Sequence, residues 1–275
     1  MKHTVPEEAL ARGLEYVRRN GTGLMGALAA HAAGVASGDD VLVHLRPYQN
    51  HDGGWERFDG DMAGSLSTIS QTWLGLQWLL WTRPSDTTPL DRTVEFLRQS
   101  QHDDGYWDEP DEILQYDPPP WMVPGRLANQ LWLTSAVCCK LLELGREFEV
   151  RFDAAVEFLR SGWEEEEGFP VFLHTHWMAL YIFRSLKEQN DMDRRIARGC
   201  ARRLKDDLIG DKVDGTDVTS IAYTALKSGT RDLFDVAFPI VVGNQAEDGG
   251  WTTGYGDVHR PLCTIEAMHL AAQRL

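Results

Sequence analysis

The chain has 275 residues, with 27 Lys and Arg against 42 Asp and Glu, a net charge of −15; it is 43% hydrophobic and 25% charged. A chain of this length can bury roughly 75% of its unfolded surface, so a core is assured, disorder is excluded, and one large domain or two small ones is the prior. The acidity, read as uninterrupted by any Lys/Arg cluster, makes a nucleic-acid partner a poor fit.

No apolar run approaches the length of a membrane span, since even Leu74 to Trp81 is broken by Gln77. The first residues, MKHTVPEEALARGLEY, place two glutamates where a signal peptide would need its apolar stretch, so a cytoplasmic location is expected. Cys138, Cys139, Cys200 and Cys263 include a vicinal pair and lack C-x-x-C spacing, which argues for buried fillers rather than disulfides or a zinc knuckle.

Apolar periodicity predicts helices in chain order at 6–19, 22–36, 39–48, 66–82, 89–101, 126–144, 151–162, 173–188, 191–207, 216–228, 231–245 and 260–274. That is twelve helices in six pairs. The second of each pair is the more apolar, as in Ser67 to Trp81, Leu127 to Leu144 and Leu262 to Leu275. The first carries charge, as in Asp91 to Arg98 and Arg194 to Lys205. An inner layer wrapped by an outer one follows.

Three inter-helix segments share the pattern Q-x-x-D-G-x-W: Gln49 to Trp55, Gln101 to Trp107 and Gln245 to Trp251. Asp52 and Asp104 are 52 residues apart, and Asp104 and Asp248 are 144 apart, or three intervals of 48, so two decayed copies are expected between them, at Trp163 to Phe169 and Leu208 to Gly215. Asp-Gly gives a tight turn with positive φ, while the Gln amide and Trp indole can bridge neighbouring helix ends. The pattern is therefore a structural staple. With neither end of the chain reading as a polar capping repeat, the expected architecture is a single-domain, all-α, closed (α/α)6 toroid over residues 1–275.

These repeats over six helical pairs resemble the superfamily of squalene-hopene cyclases, class II terpene cyclases and protein prenyltransferase β-subunits. The resemblance implies fold more than activity, because the staple itself does no chemistry. Function is sought in the loops preceding the inner helices, which contribute Asp59, Asp61, Asp108, Asp111, Asp117, His174, His176, Asp214, Asp217, Asp257 and His259.

Val213-Asp-Gly-Thr-Asp-Val-Thr-Ser-Ile-Ala-Tyr223 is similar to the D-x-D-D-T-A motif of the cyclases, whose middle Asp protonates an alkene or epoxide. Laid on it, the middle acid is Asp217 and the threonine is Thr219, while Gly215 and Val218 replace the flanking acids. The resemblance implies Asp217 as catalytic acid, acting on an isoprenoid in an aromatic-lined lumen. Trp73, Trp177, Tyr223, His176, His259 and Arg126 are the candidate substrate-binding groups. The alternative for Asp214 or Asp217 is a helix cap.

The prenyltransferase comparison would need a zinc thiolate, but Thr216 stands in the cysteine's place, so no metal is expected. No cofactor is expected either, with Mg²⁺ required only if the substrate bears a diphosphate. Arg57, Arg126, Lys212 and Arg260 are the cations available to receive one. A homo-oligomer or a partner subunit is left open, as are a non-catalytic ligand-binding role and a subunit role in a heteromeric enzyme.

Overall fold

The computed structural model describes residues 7–56, 58, 65–165 and 168–273. Arg57, Asp59 and Asp61 of the loop before the fourth expected helix, Glu166 and Glu167, and the first six residues lie outside these. Among the described residues there are twelve α-helices and four short 3-10 helices, with isolated bridges and no strand.

The helices are α1 (Glu7–Asn20), α2 (Gly23–Ala32), α3 (Gly38–Leu45), α4 (Ile69–Thr82), α5 (Thr88–Gln99), α6 (Leu127–Leu144), α7 (Phe152–Ser161), α8 (Leu173–Ser185), α9 (Asp191–Ile209), α10 (Gly215–Lys227), α11 (Arg231–Gly243) and α12 (Arg260–Ala271). Expected and observed helices correspond one to one. The differences lie at ends: α2 stops four residues early, before Gly34 turns to φ +73°. Residues 46–48, expected to extend α3, tighten instead into a 3-10 turn containing Pro47. The stretch 108–125, read as a loop, holds two 3-10 turns, Asp111–Tyr116 and Pro120–Met122.

The chain forms two compact units, one of residues 1–45, 81–85 and 204–275, the other of 46–80 and 86–203. In the first unit α12 packs between α2 and α10, while α1 and α11 lie against this row. The layering follows from composition. Helix α1 buries one stripe of Leu14, Tyr16 and Val17 and leaves its charged face in water, whereas α12 buries Cys263, Thr264, Ile265, Ala267, Met268, His269 and Leu270 on several sides. In the second unit α6, with nearly its whole length buried from Leu131 to Leu141, packs on α8, and the amphipathic α7 covers α6 through Ala155, Val156 and Leu159.

Each staple makes the same set of bonds. Gln49, Gln101 and Gln245 donate through Nε2 to the carbonyl four residues on, at 3.1, 2.7 and 2.9 Å. The same amide reaches the start of another helix: Pro89 O of α5 at 2.9 Å, Arg151 O before α7 at 3.2 Å, and Ala9 O of α1 at 2.8 Å. The turn glycines Gly53, Gly105 and Gly249 sit at φ +94°, +89° and +93°, and a Cβ on any of them would strike the backbone of the gripped helix. Trp55, Trp107 and Trp251 are fully enclosed.

A letter of the motif lies outside the motif. The backbone N–H of each staple Trp donates to a threonine in the first turn or two of the following apolar helix: Trp55 to Thr72 at 3.1 Å, Trp107 to Thr134 at 3.1 Å, Trp251 to Thr264 at 2.9 Å. The decayed copy at Trp163 to Phe169 keeps this plan with other side chains. Phe169 is buried in the Trp position and donates its N–H to Nε2 of His176, and Trp163 packs on Gly199 of α9 where the others use glutamine.

Thr134→Val keeps the shape of the side chain but leaves the Trp107 N–H buried without an acceptor, a cost of about 1–3 kcal/mol. Urea unfolding should show that loss with an unchanged slope; an unchanged midpoint would mean the bond is not part of what holds the staple.

Candidate functional site

In the first unit the start of α10 brings together two carboxylates with opposite environments. Asp214 is the N-cap: its Oδ1 accepts from the N–H of Thr216 at 2.9 Å and from the Thr253 hydroxyl at 2.7 Å, and its Oδ2 accepts from the N–H of Gly254. Burial pushes its pKa up, but the bonds from Gly254, Thr216 and Thr253 outweigh it and hold the carboxyl below the usual range. The cap expected of Asp214 or Asp217 is thus Asp214 alone.

Asp217, three residues on, is buried. Burial pushes its pKa up to about 6 against the hydrogen bond from Tyr255, with the Asp214 charge adding to the rise. The Tyr255 hydroxyl donates to Asp217 Oδ2 at 2.9 Å, and that tyrosine is half exposed. The loop carrying it is tied down by Thr216, whose hydroxyl meets that of Thr253 at 2.9 Å. The two segments touch so closely that a Cβ at Gly215 would lie 2.2 Å from Thr252 O. The glycine standing where the cyclase motif has its first acid is required by this contact.

Along the same helix Tyr223 lies nearly two turns beyond Asp217, at 6.1 Å from Trp81 and 5.8 Å from His269, which itself stacks on Trp81 at 4.2 Å; Lys227 stands 5.3 Å over the Tyr223 ring. Thr219 is buried and donates to Gly215 O within the helix. His259 is the residue before α12, its N–H bonded to Gly256 O at 3.0 Å.

In the second unit an aromatic cluster forms around Trp132 of α6. Trp73, Trp121, Phe172 and His174 surround it edge to face at 6.3, 5.7, 6.4 and 6.4 Å, and His174 contacts Trp177 at 4.6 Å. Burial pushes the His174 pKa down to about 4, so its imidazole is neutral near pH 7. Trp73 and Trp177 are therefore brought into one cluster, and of the two histidines His174 joins them. His176, expected as a substrate group, has its Nε2 occupied by the N–H of Phe169, for the reason already given: it replaces the staple threonine. Arg126 is the exposed N-cap residue of α6, its guanidinium on Pro120 O at 3.4 Å.

Sequence reasoning missed Tyr255, Trp121, Phe172 and Glu109. Glu109 is buried and accepts from the N–H groups of Ile69 and Ser70 at 2.7 and 3.1 Å, capping α4 from 40 residues away. Its signal was only an acid two residues after a staple Trp. Asp108 is spent on its own loop, accepting from Gly125 N–H and the Gln130 amide, both at 2.8 Å. Among the described residues no group of three or more His, Cys, Asp or Glu is arranged to hold a metal ion. Among the described residues no helix is long and apolar enough to cross a membrane.

No family model matches the sequence, and no curated protein does. Among solved structures the chain is similar to a protein from Actinoplanes with a TM-score of 0.63 and 16% identity, covering 98% of this chain and 100% of that one. At that identity the likeness concerns the fold.

Burial pushes the Glu109 pKa up to about 7, against the two backbone bonds it accepts. A raised carboxyl binds its proton more tightly folded than unfolded, so its contribution is complete below about 4.5 and is lost as the pH rises through about 7. Between pH 5 and 8 the wild type should lose about 2–3 kcal/mol relative to Glu109→Gln, whose amide does not titrate. Parallel pH profiles for the two proteins would refute this.

Proposed function

We propose that the protein is a class II terpene-cyclase-like enzyme in which protonated Asp217 starts the cyclisation of an isoprenoid. The observation that carries this reading is the division of labour at α10. Asp214 takes the capping role and stays ionised, which leaves Asp217 as a buried acid with its pKa raised to about 6 and an oriented Oδ2.

The π electrons of a C=C take the proton of the Asp217 carboxyl to form a C–H bond, or an epoxide oxygen takes it as its C–O bond breaks; either way the carbon left cationic is attacked by the next double bond, and Asp217 is left as a carboxylate. A final C–H bond beside the last cation gives up its proton, which returns directly or through water to the Asp217 carboxylate; this ends the sequence and regenerates the acid. Tyr223 and Trp81 are the rings that the unit carrying Asp217 offers to such a cation, while Trp73 and Trp177 belong to the second unit's own aromatic cluster. His176 has no part in the proposal, Arg126 and His259 keep only a binding one, and Mg²⁺ enters only with a diphosphate substrate. Protonation of this kind needs no cofactor.

We propose also that the helices close into the (α/α)6 toroid. The support is the rule followed by the staples: the one after α3 grips α5, the one after α5 grips α7, and the one after α11 grips α1. The last staple thus treats the first helix as its successor. Arg12 reinforces it by donating to Gln245 Oε1 at 2.6 Å.

Incubation of wild type and Asp217→Asn with linear C10 to C30 isoprenoid diphosphates and squalene should give cyclised product from the wild type, lowered at least a hundredfold in the variant. No product from the wild type across the panel, or undiminished product from the variant, would remove the catalytic reading. A ligand-binding or subunit role would then lead.

A further inference from the structure

The outer surface of the second unit corrects one sequence expectation, that no basic cluster interrupts the acidity. Arg194, Arg195, Arg198, Arg202 and Arg203 fall within ten residues of α9, and all five are exposed. Arg194, Arg198 and Arg202 recur every four residues and so climb one face of the helix over about 12 Å. Arg194 pairs with Asp191 and Arg195 with Glu165, each at 2.6 Å, whereas Arg198 and Arg202 have no ion-pair partner among the described residues. Like charges at this spacing destabilise a helix, and the Asp191 carboxylate, which feels Arg194, Arg195 and Arg198, offsets this at the N-terminal end of the stripe.

Beside the stripe lies a groove of 480 Å³ between the end of α6, the 3-10 turn Glu147–Glu149, α7 and the end of α8. The two are joined by Arg160, which lines the groove and holds Asp193 at the start of α9 through a two-pronged ion pair of 2.7 and 2.9 Å. The groove has an apolar floor that includes Phe152 and Val156, and a rim of Glu147, Asp153, Glu157 and Glu188. Against these four acids stand Lys187 and Arg160; Arg160 pairs with Glu157 as well as with Asp193, so the excess of negative charge lies with Glu147, Asp153 and Glu188. Glu147 Oε2 is buried with no hydrogen-bond partner, and the next residue, Phe148, is 76% exposed.

We propose that this face docks a second copy of the chain, the arginine stripe of each copy lying on the acidic rim of the other's groove, with Phe148 in the apolar centre. Opposite charges placed side by side are self-complementary under a two-fold axis. An acidic partner would satisfy the stripe and leave the rim and Phe148 facing nothing; a basic partner would do the reverse. A duplex nucleic acid, with one charge every 1.7 Å or so, would meet the net −15 beyond a stripe of this length. The partner that carries both signs in this arrangement is the chain itself.

The test is sedimentation velocity on the full chain over a concentration series. The wild type should show a concentration-dependent dimer that weakens as NaCl is raised from about 0.05 to about 0.5 M, where charge attraction is screened. Phe148→Ser should weaken it about thirtyfold, the scale of a central aromatic anchor. Arg198→Glu with Arg202→Glu, and separately Asp153→Lys with Glu188→Lys, should each be monomeric with unchanged helicity by circular dichroism. Mixing those two proteins should restore a dimer, because each charge-reversed patch then meets its complement. A wild type that stays monomeric, including one that instead binds poly-glutamate, would overturn the proposal. So would a mixture that stays monomeric, or a dimer indifferent to every variant.

Discussion

The backbone N–H of a buried tryptophan is the group on which this helical architecture turns. Trp55, Trp107 and Trp251 are enclosed because each wedges between the apolar helix that follows it and a charged helix, to which its indole N–H donates at Thr93, Leu97 O and Val241 O respectively, and enclosure removes water as a partner for the backbone N–H. A threonine on the apolar helix must then supply the acceptor, which fixes the helix's rotation as well as its position. The glutamine six residues earlier reaches sideways to another helix, so one short segment ties three elements together. Where the letters have changed, the constraint has not: Phe169 still finds an acceptor, in His176.

A scaffold pinned this way can carry uneven carboxylates at its loops. Asp214 and Asp217 are three residues apart on one helix start, yet their surroundings drive them in opposite directions. One is held ionised by backbone donors, the other is raised by burial. Two acids with separated pKa values give a site one group that holds geometry and another that can give up a proton near neutral pH. Glu109 shows that burial alone does not make an acid functional, because both its oxygens are committed to the first turn of α4.

The helices were legible in the sequence because apolar residues recur at helical spacing and the staple letters mark their ends. The Thr partners were not, since Thr72, Thr134 and Thr264 follow their tryptophans by 17, 27 and 13 residues, and no fixed spacing betrays them. His176 read as a substrate-binding group for the same reason: its role depends on Phe169 being a disguised staple residue. Asp217 could be singled out from its motif, but Tyr255 could not, being 38 residues away on a loop of unremarkable composition. The arginines of α9 were read simply as the charged side of an outer helix. Their meaning depends on the acidic groove next to them, which arises from three separate helices and a turn.

The claim that most of this rests on is that Asp217 is a buried acid and Asp214 an ionised cap. Side-chain carboxyl carbon shifts of Asp214 and Asp217, followed by NMR from pH 3 to 9 and assigned with Asn variants at each position, test it directly. Asp217 should titrate near 6, and Asp214 should remain ionised to below the ordinary aspartate range. Asp217 titrating with the surface carboxylates near 4, or the two residues titrating together, would contradict the account.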